Sequence, residues 1–374
     1  MARTVYLHVG TAKSGTTYLQ HILLRNRQLL EGHGLLYPGG RPRAHFLGSM
    51  DLRGSGFKGH TYPGAEGAWE RLVEQTNRFE GNALISHETL AMSPPEGMEK
   101  AVGSFPGRDV RVILTCRDLG RQIPAVWQER VKNRSHQTYA AYLQRVFDGW
   151  NGGNPAPRGT FWDLQNLIEL TRRWSGAVGA ENVRLVTVPA PGADRDELWK
   201  RFARGADLPD VDYDLDAPAS NASLGTAETE LLRRLNQHFR KDLTWPQYSA
   251  RIKGRFVFQE LSQRSTSGSL TVPVRWREST EQVATEMIEF LRGSGCDVVG
   301  DLEELRPHFH TEASLPDEVG TDELLGLALD LLASLTSRID PSAEGPKSGR
   351  ADLSGREAAR VIVTRTKDRL RFRR

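Results

Sequence analysis

Cysteine is scarce in this sequence: Cys116 and Cys296 are the two it has in 374 residues. Two thiols make neither a disulfide framework nor a Cys-based zinc site. Long apolar runs are missing too. None reaches the 18 or so residues that a membrane span needs, so no span is expected. The opening MARTVYLHVG carries one Arg and then at once a strand-like run, without the charged, apolar and small-residue regions of a secretory signal. A soluble, cytoplasmic protein is the expectation. Net charge is also small, +3 from 50 Lys+Arg against 47 Asp+Glu.

What is present is ordinary globular material. A hydrophobic fraction of 38% and a charged fraction of 26% exclude a collagenous, low-complexity or wholly disordered chain. The length suffices to bury a large core without covalent staples. The charge is uneven: residues 346–374 carry 10 basic and 3 acidic side chains, which leaves −4 on the other 345. The tail is read as solvated and flexible, with no specific nucleic-acid partner. We expect one α/β domain over 1–340 and a basic tail over 341–374.

Hydrophobic patterning alternates strand and helix. Val5–Val9, Leu35–Tyr37, Ala83–Ser86, Val110–Thr115 and Val183–Val188 read as strands. Leu19, Ile22, Leu23, Leu29 and Leu30 form a helical stripe stopped by Gly32 and Gly34. Trp69–Phe79 and the stretch from Arg117 to Val131 also read as helices, whereas His45–His60 reads as Gly-rich and irregular. The second half is richer in helix, over Asp163–Trp174, Thr226–Phe239 and Glu281–Leu291. This rhythm predicts an open parallel sheet flanked by helices. Ligands of such sheets sit beyond the carboxyl ends of the strands. That singles out the loops Gly10–Thr17, Ser86–Leu90 and Cys116–Gln122.

The first of these loops is the strongest signal. A strand, the small-residue run Gly10-Thr11-Ala12-Lys13-Ser14-Gly15-Thr16-Thr17, and a helix start make an anion cradle from backbone N–H groups. Lys13 adds a mobile cation, and Ser14, Thr16 and Thr17 add hydroxyls. The nucleoside-triphosphate motif GxxxxGK[ST] does not fit. Gly10 and Gly15 have its spacing, but Thr16 stands where its Lys belongs.

HVGTAKSGTTYLQ resembles the 5′-phosphosulfate-binding loop of sulfotransferases that use 3′-phosphoadenosine 5′-phosphosulfate (PAPS), whose Lys-Ser-Gly-Thr-Thr pattern stands here as Lys13 to Thr17. VILTCRDLGRQIPAVWQE is similar to the segment that carries the 3′-phosphate site of that family. More loosely the resemblance covers most of residues 1–310, in the style of bacterial members with a P-loop-like nucleotide-binding fold. It implies that Lys13, Ser14, Gly15, Thr16 and Thr17 hold the 5′-phosphosulfate and that Arg117 holds the 3′-phosphate. An Arg paired with Asp118 at a helix start is the other reading of Arg117. The usual Ser eight residues after the Arg is Ala125 here, and Arg121, Gln122 or Ser135 are candidates to compensate. Ser223, in Asn221-Ala-Ser-Leu, is carried over as a nucleotide contact, and Lys253, Gly254 and Arg255 as candidates from a late loop.

The family also implies a His or Glu that takes a proton from the acceptor. His87 and Glu88 are the candidates, with His45 and Asp51 in reserve, while His8 reads as structural. Trp127, Trp150, Phe161, Trp162 and Trp174 are read as core before acceptor pocket. The implied activity is transfer of sulfonate from PAPS, as co-substrate and with no metal, to a hydroxyl or amine of a small-molecule, lipid or carbohydrate acceptor. A non-catalytic nucleotide-binding protein and an atypical P-loop kinase are the alternatives.

Overall fold

The computed structural model describes residues 3–54, 56, 60–216, 224–239, 243–264, 268–309 and 315–337. Six strands are found among them: β1 (Thr4–His8), β2 (Leu35–Leu36), β3 (Asn82–Ser86), β4 (Asp109–Cys116), β5 (Val183–Thr187) and β6 (Asp297–Val299). They form one sheet in the order β2-β3-β1-β4-β5-β6, with every pairing parallel. The fold is therefore an α/β open parallel sheet with helices on its faces, and the described residues beyond β5 are mostly helical.

β1 is buried along its whole length because it lies between β3 and β4. Its register sets His8 beside Ser86 and Ile113, so β1, β3 and β4 end side by side. On one face Tyr6, Leu84, Ile113 and Val186 pack with Leu19, Ile22 and Leu23 of helix Thr16–Arg25 and Phe202 of helix Glu197–Gly205. Helix Leu167–Val178 packs on β4 and β5. Burying these apolar side chains stabilises the sheet at about 25 cal/mol per Å² removed from water.

Four local readings change. Residues Ala44–Leu52 form a helix where an irregular stretch was expected. Gly48 sits at its contact with helix Ala68–Arg78, and a Cβ there would lie 2.6 Å from Leu72 Cδ1. This glycine permits close packing rather than breaking the helix. The helical stripe over residues 19–30 divides at Asn26, whose side chain exchanges hydrogen bonds of 2.9 Å with the backbone of Asp214. The expected helix Asp163–Trp174 divides at Asn166, whose carboxamide caps Leu167–Val178 by accepting from Glu169 N. β6 was not anticipated, being three residues long.

By its internal contacts the chain divides into Met1–Leu327 and Ala328–Arg374. The described part of the second unit, residues 328–337, is helical. The basic tail lies outside the described residues.

Candidate functional site

The loop after β1 is shaped by its own polar groups. Gly10 and Gly15 hold φ of 111° and 87°, and Lys13 takes φ 68°, which only a well-anchored non-glycine residue tolerates. A Cβ on Gly10 would lie 3.2 Å from Glu88 Cα, and one on Gly15 would lie 2.4 Å from Leu198 Cδ2. Ser14 is fully buried and donates to Thr11 O at 2.6 Å. Ala12 O accepts from Gln122 Nε2 and, at 3.0 Å, from Gln165 Nε2. Lys13 O accepts from Arg117 Nη1 at 2.8 Å.

With its carbonyls turned to these donors, the loop leaves the N–H groups of Ser14, Gly15, Thr16 and Thr17 without an acceptor among the described residues. Helix Thr16–Arg25 starts with no side-chain cap and no acid in its first turn. Its positive end is therefore uncompensated, the condition under which a helix start attracts an anion. The Ser14 hydroxyl, expected as a donor to a ligand, bonds Thr11 O and Thr115 Oγ1. Thr16 is buried and Thr17 half-buried at the helix start.

Lys13 points away from its own loop. Its Nζ lies 2.6 Å from Glu129 Oε2, on helix Leu119–Lys132. Glu129 also meets Lys253 at 2.7 Å and Lys132 at 3.8 Å. Burial opposes ionisation of Glu129, but the three lysines overcome it and hold the carboxyl far below its usual range. Lys132 is 3% exposed. Burial draws its ammonium down to about 8, against the pull of Glu129 and with the repulsion of Lys13 and Lys253. Lys253 comes from the π-helical segment Ser249–Leu261 and also donates to Asn133 Oδ1 at 2.7 Å. Three cations thus share one carboxylate.

Arg117 follows β4 directly. It does not pair with Asp118. That carboxylate caps helix Leu119–Lys132 through Arg121 N at 3.0 Å, pairs with the Arg121 side chain and accepts from His308 N at 3.0 Å. Arg117 meets no carboxylate within ion-pair distance among the described residues, and its buried Nε has no acceptor. Burial and the neighbouring Arg121 draw the guanidinium down to about 10, with Asp118 opposing.

Arg121, Gln122 and Ser135 were the candidates to compensate for Ala125. Arg121 is engaged with Asp118 and Pro189 O, and Gln122 with Ala12 O and Gln165. Ser135 Oγ accepts from Gln137 N at 3.3 Å beyond the helix end. The residue of this helix that meets the loop's cation is Glu129, four positions after Ala125. Sequence reasoning missed it. An acid one turn on, on the same helix face, was the available signal.

His87 and Glu88 both sit at the end of β3, and Glu88 lies against Gly10 of the loop. His87 Nδ1 accepts from Thr89 N at 3.2 Å and bonds Thr89 Oγ1 at 2.7 Å. Those contacts occupy the Nδ1 lone pair of a neutral ring, which places the proton on Nε2. Burial lowers the imidazole below its usual value, Glu88 pulls it up and Arg53 adds to the lowering. Glu88 Oε2 accepts from Gln20 Nε2 at 3.3 Å. Burial raises its carboxyl, but the charge His87 carries when protonated, a backbone N–H and this hydrogen bond prevail and hold it below the usual range.

The reserve candidates are structural. His45 is buried, donating from Nε2 to Pro38 O at 2.8 Å and accepting at Nδ1 from Ser86 N at 3.1 Å. Asp51 accepts from Trp69 N at 3.0 Å. His8 is fully buried between Ser86 and Thr115, and burial draws it down to about 3. Trp127, Phe161, Trp162 and Trp174 fill the core, and Trp150 bonds Glu286 at 2.8 Å. Asn221 and Ser223 lie outside the described residues. Among the described residues no helix is long and apolar enough to cross a membrane.

No family model matches the chain, and no curated protein does. Among solved structures, a sulfotransferase from Alicyclobacillus acidocaldarius is similar at 17% identity, over 63% of this chain and 93% of that one, with a TM-score of 0.36.

Proposed function

We propose that the chain is a sulfotransferase that moves a sulfonate from PAPS to a hydroxyl or amine of an acceptor. The observation that carries this reading is Arg117. Its guanidinium is fixed to the phosphate loop through Lys13 O, meets no carboxylate among the described residues and keeps a buried Nε without an acceptor. A buried donor left unpaired costs roughly 1–3 kcal/mol, a cost that an anionic ligand at this guanidinium would offset. A guanidinium matches the fork of a phosphate. The uncapped helix start, with its free N–H groups, offers a second anion site beside it. Two anion sites joined by one hydrogen bond suit a nucleotide with phosphate at both the 3′ and 5′ positions, and the donor set fits PAPS.

PAPS supplies an activated sulfonate. In this reading the loop N–H groups and Lys13 hold the 5′ end, and Arg117 holds the 3′-phosphate. Lys13 leaves Glu129 to neutralise charge on the bridging oxygen as the sulfur–oxygen bond breaks. The acceptor oxygen or nitrogen forms the new bond to sulfur, and its proton goes to a base. Adenosine 3′,5′-bisphosphate leaves. Glu88 is assigned as the base, because its carboxylate is held ionised beside the loop. His87 is less suited to that role, because its Nδ1 is already engaged by Thr89.

The test uses Glu88→Gln and His87→Asn with labelled donor and an acceptor panel. Loss of a general base costs about 10²–10⁴ in rate. Glu88→Gln should lose that much while keeping its affinity for the bisphosphate, and His87→Asn should lose much less. Because Glu88 is held low, turnover should persist as pH falls from 7 to 6. The reverse ranking with an acid limb in that window gives the role to His87. More than a tenth of wild-type turnover in both variants removes both.

A further inference from the structure

At the far end of helix Leu119–Lys132 lies a cavity of about 670 Å³, within the size range of small-ligand sites. Arg130, Arg134, Arg145 and His136 line it, with Asn133 and Trp245. Among the described residues, no carboxylate and no aliphatic side chain is in its lining. Cations near a helix C-terminus often complement the helix dipole. That accounts for Arg130 and Arg134, but Arg145 comes from helix Tyr139–Asp148 and Trp245 from a later segment. Arg130 and Arg145 form no ion pair among the described residues. Gln137, also in the lining, has a buried Nε2 with no acceptor.

Two chains of contacts tie this cavity to the candidate site. From Lys13 the path runs through Glu129 at 2.6 Å to Lys253 at 2.7 Å and on to Asn133 at 2.7 Å. From His87 it runs through the rings of Phe46 and Tyr62, with centroids 5.3 and 4.9 Å apart in turn, to Trp245, whose Nε1 donates to Tyr62 OH at 3.1 Å. Arg117 sits at the opposite end of the same helix, about 20 Å away for 14 residues at 1.5 Å each. A donor gripped by Arg117 and the loop leaves this end to another molecule.

We propose that the cavity receives an anionic group of the acceptor, and that the acceptor is a polar, acid-bearing molecule of the kind an acidic sugar represents. This rests on the sulfotransferase reading. Carboxylate or sulfate oxygens pair with Arg130 and Arg145, and Gln137 donates a neutral hydrogen bond.

Calorimetric titration with a uronate-containing disaccharide and its neutral, carboxyl-reduced counterpart tests the proposal, with wild type, Arg145→Gln and Arg130→Gln. The acidic disaccharide should bind at least tenfold tighter than the neutral one. Each variant should weaken it about tenfold and leave the Kd for adenosine 3′,5′-bisphosphate within twofold. Equal binding of the two disaccharides, or no binding of either, overturns the proposal. So does a matching loss of bisphosphate affinity in the variants, which assigns the cavity to the nucleotide. Tight binding of the acidic disaccharide by a protein that does not bind the bisphosphate supports the cavity's preference and overturns the donor reading alone.

Discussion

Lys13 and Arg117 stand at the ends of neighbouring strands, yet the protein holds them in opposite ways. The Lys13 ammonium rests on a carboxylate, Glu129, and turns from the loop that carries it. The Arg117 guanidinium donates to a backbone carbonyl and keeps an unpaired Nε. A flexible four-carbon stem can exchange partners, whereas a planar fork fixed by one of its nitrogens is already oriented. Under the proposed function the difference separates two tasks: Arg117 would be preorganised for binding, and Lys13 would be stored until charge needs neutralising.

The largest effect should come from removing the stored cation. Lys13→Ala is expected to cut turnover by about 10²–10³, with a smaller change in bisphosphate affinity. Comparing kcat with the Kd from titration checks this. Near-normal turnover would break the comparison on the Lys13 side. Arg117→Met should act the other way. It should weaken adenosine 3′,5′-bisphosphate by about tenfold or more, since a charge-assisted hydrogen bond contributes about 1.5–3 kcal/mol. Adenosine 5′-monophosphate, lacking the 3′-phosphate, should bind wild type and variant alike. An equal loss for both nucleotides would mean that Arg117 supports the loop rather than a phosphate.

The smallest effect is on pH. Lys132 ends helix Leu119–Lys132, 3.8 Å from the Glu129 carboxylate that Lys13 also meets, and burial has drawn it down to about 8. The free protein therefore loses this proton as pH rises through 8, while an incoming anion favours the protonated form. Bisphosphate affinity should be full at pH 7 and fall by up to about tenfold per pH unit above 8. Lys132→Met should bind less tightly at pH 7 and show a flatter profile. A flat wild-type profile from pH 7 to 9.5 would remove Lys132 from the anion's field.

Much of this arrangement is legible in the chain because it is local. β1 and β4 are continuous apolar runs, and the loop between β1 and its helix is a contiguous string of small and hydroxylated residues. The ends of parallel strands converge by topology, which is why Lys13, Arg117, His87 and Glu88 meet in one region. What was not legible depends on tertiary contact. Gly48 looks like a helix breaker until Leu72 is seen packed against it. Ser14 donates to Thr11 O, a loop contact that spacing alone does not show. Glu129 is one acid among 47 acidic residues, and only the fold gathers Lys13, Lys132 and Lys253 around it. The tautomer of His87 depends on where Thr89 N points, a fact of backbone geometry that no spacing encodes.

The central claim is that this protein reads phosphate at two positions of one nucleotide. Thermal unfolding of the wild-type chain with adenosine 3′,5′-bisphosphate, adenosine 5′-phosphosulfate and ATP tests it most directly. The bisphosphate should stabilise the fold by about 2.7 kcal/mol at 100 times its Kd. At the same concentration the other two, which lack the 3′-phosphate that Arg117 would hold in this reading, should stabilise it far less. Equal shifts from all three nucleotides, or none from the bisphosphate, would contradict the account.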